Sequence, residues 1–220
     1  YFGYHKVKPI LQGWRDFSVC AITGAGAEVA CGGSATSGEG NFFAFDTDIS
    51  ASGSTIFTFG PNRTVVNGYT LYNYNPLSYF QRPDERYVAG AFADYEISPA
   101  IKPYLEFMFM DDKALAQIAP SAAFGNTFTM NCDNPPMSAQ AVAQVCNPDN
   151  LIVGFIGNFP VAAAAPYNTV ENGVGGTTPV EFSDAFGNTY NRGYFNLLRR
   201  NVEGGPRISD LTHTSWRGVL

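Results

Sequence analysis

A chain of 220 residues is long enough for one domain with a substantial core. Only 15% of it is charged, against roughly 25% in average soluble domains, while aromatic residues reach 15%. The 23 glycines and 14 prolines argue against a helical bundle, the aromatic content argues against disorder, and a net charge of −6 argues against a nucleic-acid partner, since phosphate binding needs a basic face.

The chain opens on Tyr1 without the basic-then-apolar pattern of a signal peptide. It closes on the apolar run Trp216-Arg217-Gly218-Val219-Leu220, so both ends read as cut through an element and the chain as a piece of something longer. Residues 1–11 read as a strand whose two faces do not separate cleanly. The long segment 12–85 follows, rich in Asn, Gly and Ser. In it, Gly24-Ala25-Gly26 resembles a dinucleotide-binding turn, but Cys31-Gly32-Gly33 would break the helix that must receive the pyrophosphate, so the glycines read as loop flexibility. Asp46-Thr47-Asp48 could ligate calcium in an irregular loop. An EF-hand is excluded, because its sixth and twelfth positions fall on Ala51 and Phe57. Asn62-Arg63-Thr64 matches a glycosylation triplet that is common by chance.

Residues 86–97 alternate with period two. The odd positions Tyr87, Ala89, Ala91, Ala93, Tyr95 and Ile97 are uniformly apolar, and the even ones are mixed. Ser98-Pro99-Ala100-Ile101 reads as a tight turn into a second strand, 102–117, with Leu105, Phe107 and Phe109 on one face and Glu106, Met108, Met110 and Asp112 on the other. The second long segment, 118–205, holds one short helix from Ser138 to Val145, with Ser138 as N-cap. Residues 194–202 are expected to pair with the last strand, near 206–220, through Glu203-Gly204-Gly205-Pro206. The run 151–165 is too short, and too broken by Asn158 and Pro160, to be a membrane helix.

Cys20 with Cys31, and Cys132 with Cys146, form two close pairs set in Gly, Ser, Asn and Pro. A zinc site would want CxxC spacing or nearby histidines, and His5 and His213 lie near opposite ends. Local disulfides in an oxidising compartment are the better reading; small buried thiols are the alternative.

Catalytic and metal sites are not expected. Asp94, Glu96, Glu106 and Asp112 could suggest a glycosidase pair but read better as the lining of a wet interior. Asp111-Asp112 could likewise hold calcium, and solvated carboxylates are the plainer reading. Arg199, Arg200, Glu203 and Arg207 surround the Gly-Gly-Pro tip, where they could grip an anion or simply solvate a hairpin. No GxSxG, HExxH or phosphate-binding loop is present.

Long strands, one tight turn and very long segments at the opposite end make the asymmetry of an all-β transmembrane barrel, antiparallel, with short periplasmic turns and long extracellular loops. Several blocks resemble TonB-dependent outer-membrane receptors. They are Tyr79-Phe80-Gln81-Arg82-Pro83-Asp84-Glu85-Arg86-Tyr87, Glu106-Phe107-Met108-Phe109-Met110-Asp111-Asp112, Ala116-Gln117-Ile118-Ala119-Pro120-Ser121, Asn131-Cys132-Asp133-Asn134-Pro135 with Ser138-Ala139-Gln140, and Arg199-Arg200-Asn201-Val202-Glu203-Gly204-Gly205. The resemblance implies an importer in the outer membrane of a Gram-negative bacterium, taking up a scarce nutrient through a barrel of about 22 strands that encloses a plug. Its partners would be outer-membrane lipid, the TonB energy-coupling complex acting through the plug, and a small-molecule nutrient at the extracellular loops. No cofactor is expected. Neither plug nor TonB box is recognisable in these residues. At ~10 residues per crossing the chain supplies about four spanning strands, near 1–11, 86–97, 102–117 and 206–220, with disulfide-stapled loops over 12–85 and 118–205. The alternatives are a secreted β-rich binding or structural module, or a fragment that self-associates through open strand edges.

Overall fold

The computed structural model describes residues 1–24, 29–45 and 55–220; Ala25 and Gly26 of the glycine turn, and Asp46-Thr47-Asp48, lie outside them. The longer elements, in chain order, are β1 (Phe2–Val7), β2 (Asn41–Ala44), β3 (Thr55–Phe59), β4 (Val65–Asn67), β5 (Asp84–Asp94), β6 (Tyr104–Ile118), β7 (Ala122–Asn131), α1 (Ala139–Val145), β8 (Ile152–Ile156), β9 (Phe159–Ala162), β10 (Arg192–Arg200) and β11 (Arg207–Val219). The protein is mostly β, its sheets are antiparallel, and both close cysteine pairs are disulfides. The chain divides into two units, each with its own sheet.

The first unit comprises Tyr1–Gly33, Asn73–Ser121 and Val202–Leu220. Its sheet has the order β1-β5-β6-β11. Tyr104 faces Asp94 and Ala114 faces Asp84 across β5 and β6; on the far side, Glu106 faces Val219 and Ile118 faces Arg207. The β5–β6 connection is tight because Ser98 and Ile101 exchange backbone hydrogen bonds around Pro99, whose fixed φ suits the second position of a turn. The opening strand stops at Val7 rather than continuing to residue 11. Pro9 has no N–H for a ladder, and Ile10–Leu11 pairs separately with Tyr79–Gln81. The Cys20–Cys31 disulfide lies in this unit.

The second unit comprises Ser34–Tyr72 and Ala122–Asn201. It corrects the expectation that 12–85 and 118–205 are loops, because these segments supply a five-stranded sheet of order β7-β10-β2-β3-β4. The expected pairing of 194–202 with the last strand is overturned as well. β10 pairs with β7 and β2, and β11 pairs with β6. The reason is burial: Phe195 of β10 joins Phe42, Phe57, Val65, Ala141 and Val145 in a core that α1 covers. Gly125, at φ 78, forms the bulge where β7 slips against β10, a conformation that suits glycine.

α1 starts where Ser138 caps it: the hydroxyl accepts from the Ala141 N–H at 3.1 Å and donates to the Arg63 carbonyl at 3.0 Å. Gln140 then receives the Val65 N–H at 2.9 Å and donates to the Val65 carbonyl at 2.8 Å, occupying the outer edge of β4. The Cys132–Cys146 disulfide ties the end of α1 back to the end of β7. Gly193 has to be small, since a Cβ there would run into the Val145 carbonyl.

A second core holds Ile152, Val161, Ala162, Ala165 and Tyr194, under the hairpin of β8 and β9. That hairpin occupies the apolar run 151–165, and no helix among the described residues is long and apolar enough to cross a membrane. Tyr167 and Tyr194 share a hydrogen bond at 3.0 Å between their hydroxyls; burial first, and this partner second, push the Tyr167 phenol above its ordinary pKa.

Two predictions follow from this packing. Phe42 is 2% exposed, and its ring centroid lies 5.4 Å from Phe57 and 5.5 Å from Phe195. Phe42→Ala should therefore cost about 3–5 kcal/mol, read from the urea midpoint of the second unit. Asp184 accepts from the side chain and backbone of Asn188 and from the Phe186 N–H, and the Asn188 side chain contributes most to holding its carboxyl below the usual range. A lowered folded-state pKa means that this turn's stabilisation is present above the unfolded pKa and lost as pH falls through the folded one. The Asn188 side-chain amide resonances should titrate with a midpoint below that of an ordinary aspartate carboxyl.

Candidate functional site

The four-stranded sheet of the first unit buries neither face in the ordinary way. Because strand residues alternate and partners share a side, its register sorts the side chains into rows.

On the face that carries the odd positions of β5, the rows change character along the strands. Lys6, Glu85, Lys113 and Thr212 form the first. Tyr4, Tyr87, Asp111 and Thr214 form the second. Three apolar rows follow: Phe2, Ala89, Phe109 and Trp216; then Ala91, Phe107 and Gly218; then Ala93 and Leu105. Trp216 is 76% exposed and Phe2 71%. Tyr95, whose N–H donates to the Pro103 carbonyl, continues the odd positions and is exposed. The band from Tyr87 to Tyr95 covers eight residue steps, about 26 Å along the strand and about 20 Å in height at a tilt near 40°.

The polar border is bonded to itself. Tyr4 and Tyr87 lie 4.9 Å apart by ring centroid, and both hydroxyls donate to Oε1 of Glu85, at 3.0 and 2.8 Å. Lys6 Nζ donates to Glu85 Oε2 at 3.2 Å. Each tyrosine thus presents an apolar ring toward the band and satisfies its hydroxyl on the polar side, the arrangement that suits an apolar–aqueous boundary.

The opposite face mixes polarity. Its central row runs His5, Arg86, Asp112 and His213 across all four strands, so the two histidines at opposite ends of the sequence meet in one row. Arg86 Nε donates to Asp112 Oδ1 at 3.0 Å, and His5 Nδ1 lies 3.5 Å from Asp84 Oδ1. Val88, Met108, Met110 and Phe92 stand among them.

Most of the candidate residues from sequence separate on this frame; Asp94 and Glu106 alone stand in adjacent rows of one face. Asp111 and Asp112 are neighbours on a strand and point to opposite faces, so they cannot share one ion. Asp111 instead accepts the Thr214 hydroxyl at 2.7 Å. Glu106 and Asp112 are six steps apart on one strand, about 20 Å, beyond the spacing of a glycosidase pair. Glu96 accepts from Lys102 at 3.0 Å. The arginine cluster is divided between the units: Arg207 Nε donates to the Ala119 carbonyl in the first. In the second, Arg200 is buried, bonds the Thr36 carbonyl and lies 5.0 Å over the Tyr72 ring. No group of three or more His, Cys, Asp or Glu among the described residues is arranged to hold a metal.

The Arg86–Asp112 pair is partly solvated, with 45% and 22% of the side chains exposed. Asp112→Asn should cost less than about 1 kcal/mol in unfolding experiments, as exposed pairs do. The chain has no match among known protein families, curated proteins or solved structures.

Proposed function

We propose that this chain is part of the barrel of a TonB-dependent outer-membrane receptor, importing a small nutrient into a Gram-negative bacterium. The observation that carries the reading is the tyrosine-bordered apolar band on one face of a sheet whose other face is mixed and charged. An exposed apolar surface of this extent marks an interaction site, and a girdled apolar band, about 25 Å tall in outer-membrane barrels against about 20 Å here, is the signature of lipid contact by their strands. In this reading the odd face of β5 meets lipid, the row of His5, Arg86, Asp112 and His213 lines the lumen, and the tight turn at Pro99 faces the periplasm. The second unit is then the extracellular part that captures substrate. The outer edges of β1 and β11 are unpaired among the described residues, so the reading requires further strands to close the barrel. Energy from the TonB complex would act through a plug.

Those same open edges favour a second reading, a chain that self-associates edge to edge. The two differ in what the band touches.

Ala91 lies in the apolar rows of the band and Ser215 on the opposite face. Under the barrel reading, Ala91→Arg should cost about 2–4 kcal/mol and block outer-membrane assembly, whereas Ser215→Arg should assemble normally. Heat-modifiable mobility of the membrane fraction reads both, and equal behaviour of the two variants would overturn the proposal.

A further inference from the structure

The second unit contains a cleft of about 440 Å³ between its sheet and α1, within the size range of small-molecule sites. Its floor is apolar: Phe42, Val65, Val145 and Phe195 are buried, and Met130 and Met137 are partly so. Arg63, itself exposed, is the single charged residue among those lining it, and no carboxylate residue is among them. Among the described residues no carboxylate lies within ion-pair distance of Arg63.

Arg63 is held there by its backbone. It and Asn62 adopt φ of 60 and 54, the left-handed region that non-glycine residues seldom occupy. The turn survives because it is bonded on every side. The Gly60 N–H donates to the Thr64 carbonyl at 2.8 Å, and the Thr64 hydroxyl donates to the Pro61 carbonyl at 2.6 Å. Ser138 bonds the Arg63 carbonyl, and Gln140 clamps the adjoining Val65. Positive φ at both central residues is the ordinary geometry of a two-residue hairpin turn, so the β3–β4 connection itself fixes Arg63 at this place.

We infer that this cleft binds an apolar carboxylate, a molecule with one anionic group on a hydrocarbon body. The body fills the space over Phe42, Phe195 and the two methionines, and the carboxylate meets the Arg63 guanidinium, whose paired N–H donors match a carboxylate. A cationic ligand would find no counter-charge, and a strongly polar one would leave its groups unbonded over the apolar floor. As a capture site for import, the cleft rests on the receptor reading above; the binding does not.

The four methionines make the test internal. Met130 and Met137 line the cleft, while Met108 and Met110 stand in the first unit's sheet. The full chain, labelled with ¹³C at the methionine methyls, is titrated with decanoate, decanol and decyltrimethylammonium. Decanoate should shift Met130 and Met137 saturably and leave Met108 and Met110 in place, with decanol at least 10-fold weaker and the cation inactive. Arg63→Gln should abolish the preference for decanoate over decanol, and Arg63→Lys should restore part of it. Equal shifts at all four methyls, no shift at Met130 and Met137, or an undiminished preference in Arg63→Gln would overturn the inference. None of these outcomes bears on membrane assembly, which the Ala91 and Ser215 variants decide separately.

Discussion

Register is the constraint on which the first unit depends. Along β5 and β6, every side chain's environment follows from Tyr104 standing opposite Asp94. A slip of one residue on β6 would move Phe107 and Phe109 to the face of Arg86 and bring Asp112 beneath the tyrosines. The apolar rows, the tyrosine border and the charged row all exist only in the observed pairing, since side-chain period and pairing register together decide the face. The tight turn around Pro99 pins that register at one end, and the Arg86–Asp112 ion pair lies across it nearer the other. The pair's contribution to stability is small; placing it one position off would still break the pattern on both faces.

In the second unit the organising element is instead a core with a lid. The strands β2 and β3 are four and five residues long, too short to hold a sheet by their ladders alone. Their aromatic side chains collect under a helix of seven residues, itself too short to persist in isolation. Each half is stable through the other, and the Cys132–Cys146 disulfide limits how far the helix can stray when the core opens. The cleft lies where this covering is incomplete.

What was legible from sequence follows the range of the interactions. The hairpin of β5 and β6 announces itself by local alternation and a proline turn, and the helical turn after Ser138 by its cap. The sheet in the second unit was hidden because Asn41-Phe42-Phe43-Ala44 and Thr55-Ile56-Phe57-Thr58-Phe59 are short and show no period that separates buried strand from other apolar runs. The partner of β10 is not legible locally, because Gly204-Gly205-Pro206 suggests a hairpin while Phe195 packs with aromatic residues some 150 positions earlier. Tyr87 could be placed on an apolar face from sequence. That Tyr4 stands beside it, and that His5 and His213 share a row, required pairings between distant segments.

Gln140 carries a consequence of another kind. A primary amide has one carbonyl and an N–H donor, like a peptide group, and here both are spent on Val65. The helix therefore contributes a single-residue imitation of a neighbouring strand and ends the sheet on that side without proline, bulge or charge, the usual devices for finishing an edge. The hairpin tip and the start of the helix, 75 positions apart, are consequently joined through one side chain. Glutamate at 140 would keep the shape but lose the donor, leaving the Val65 carbonyl without this partner.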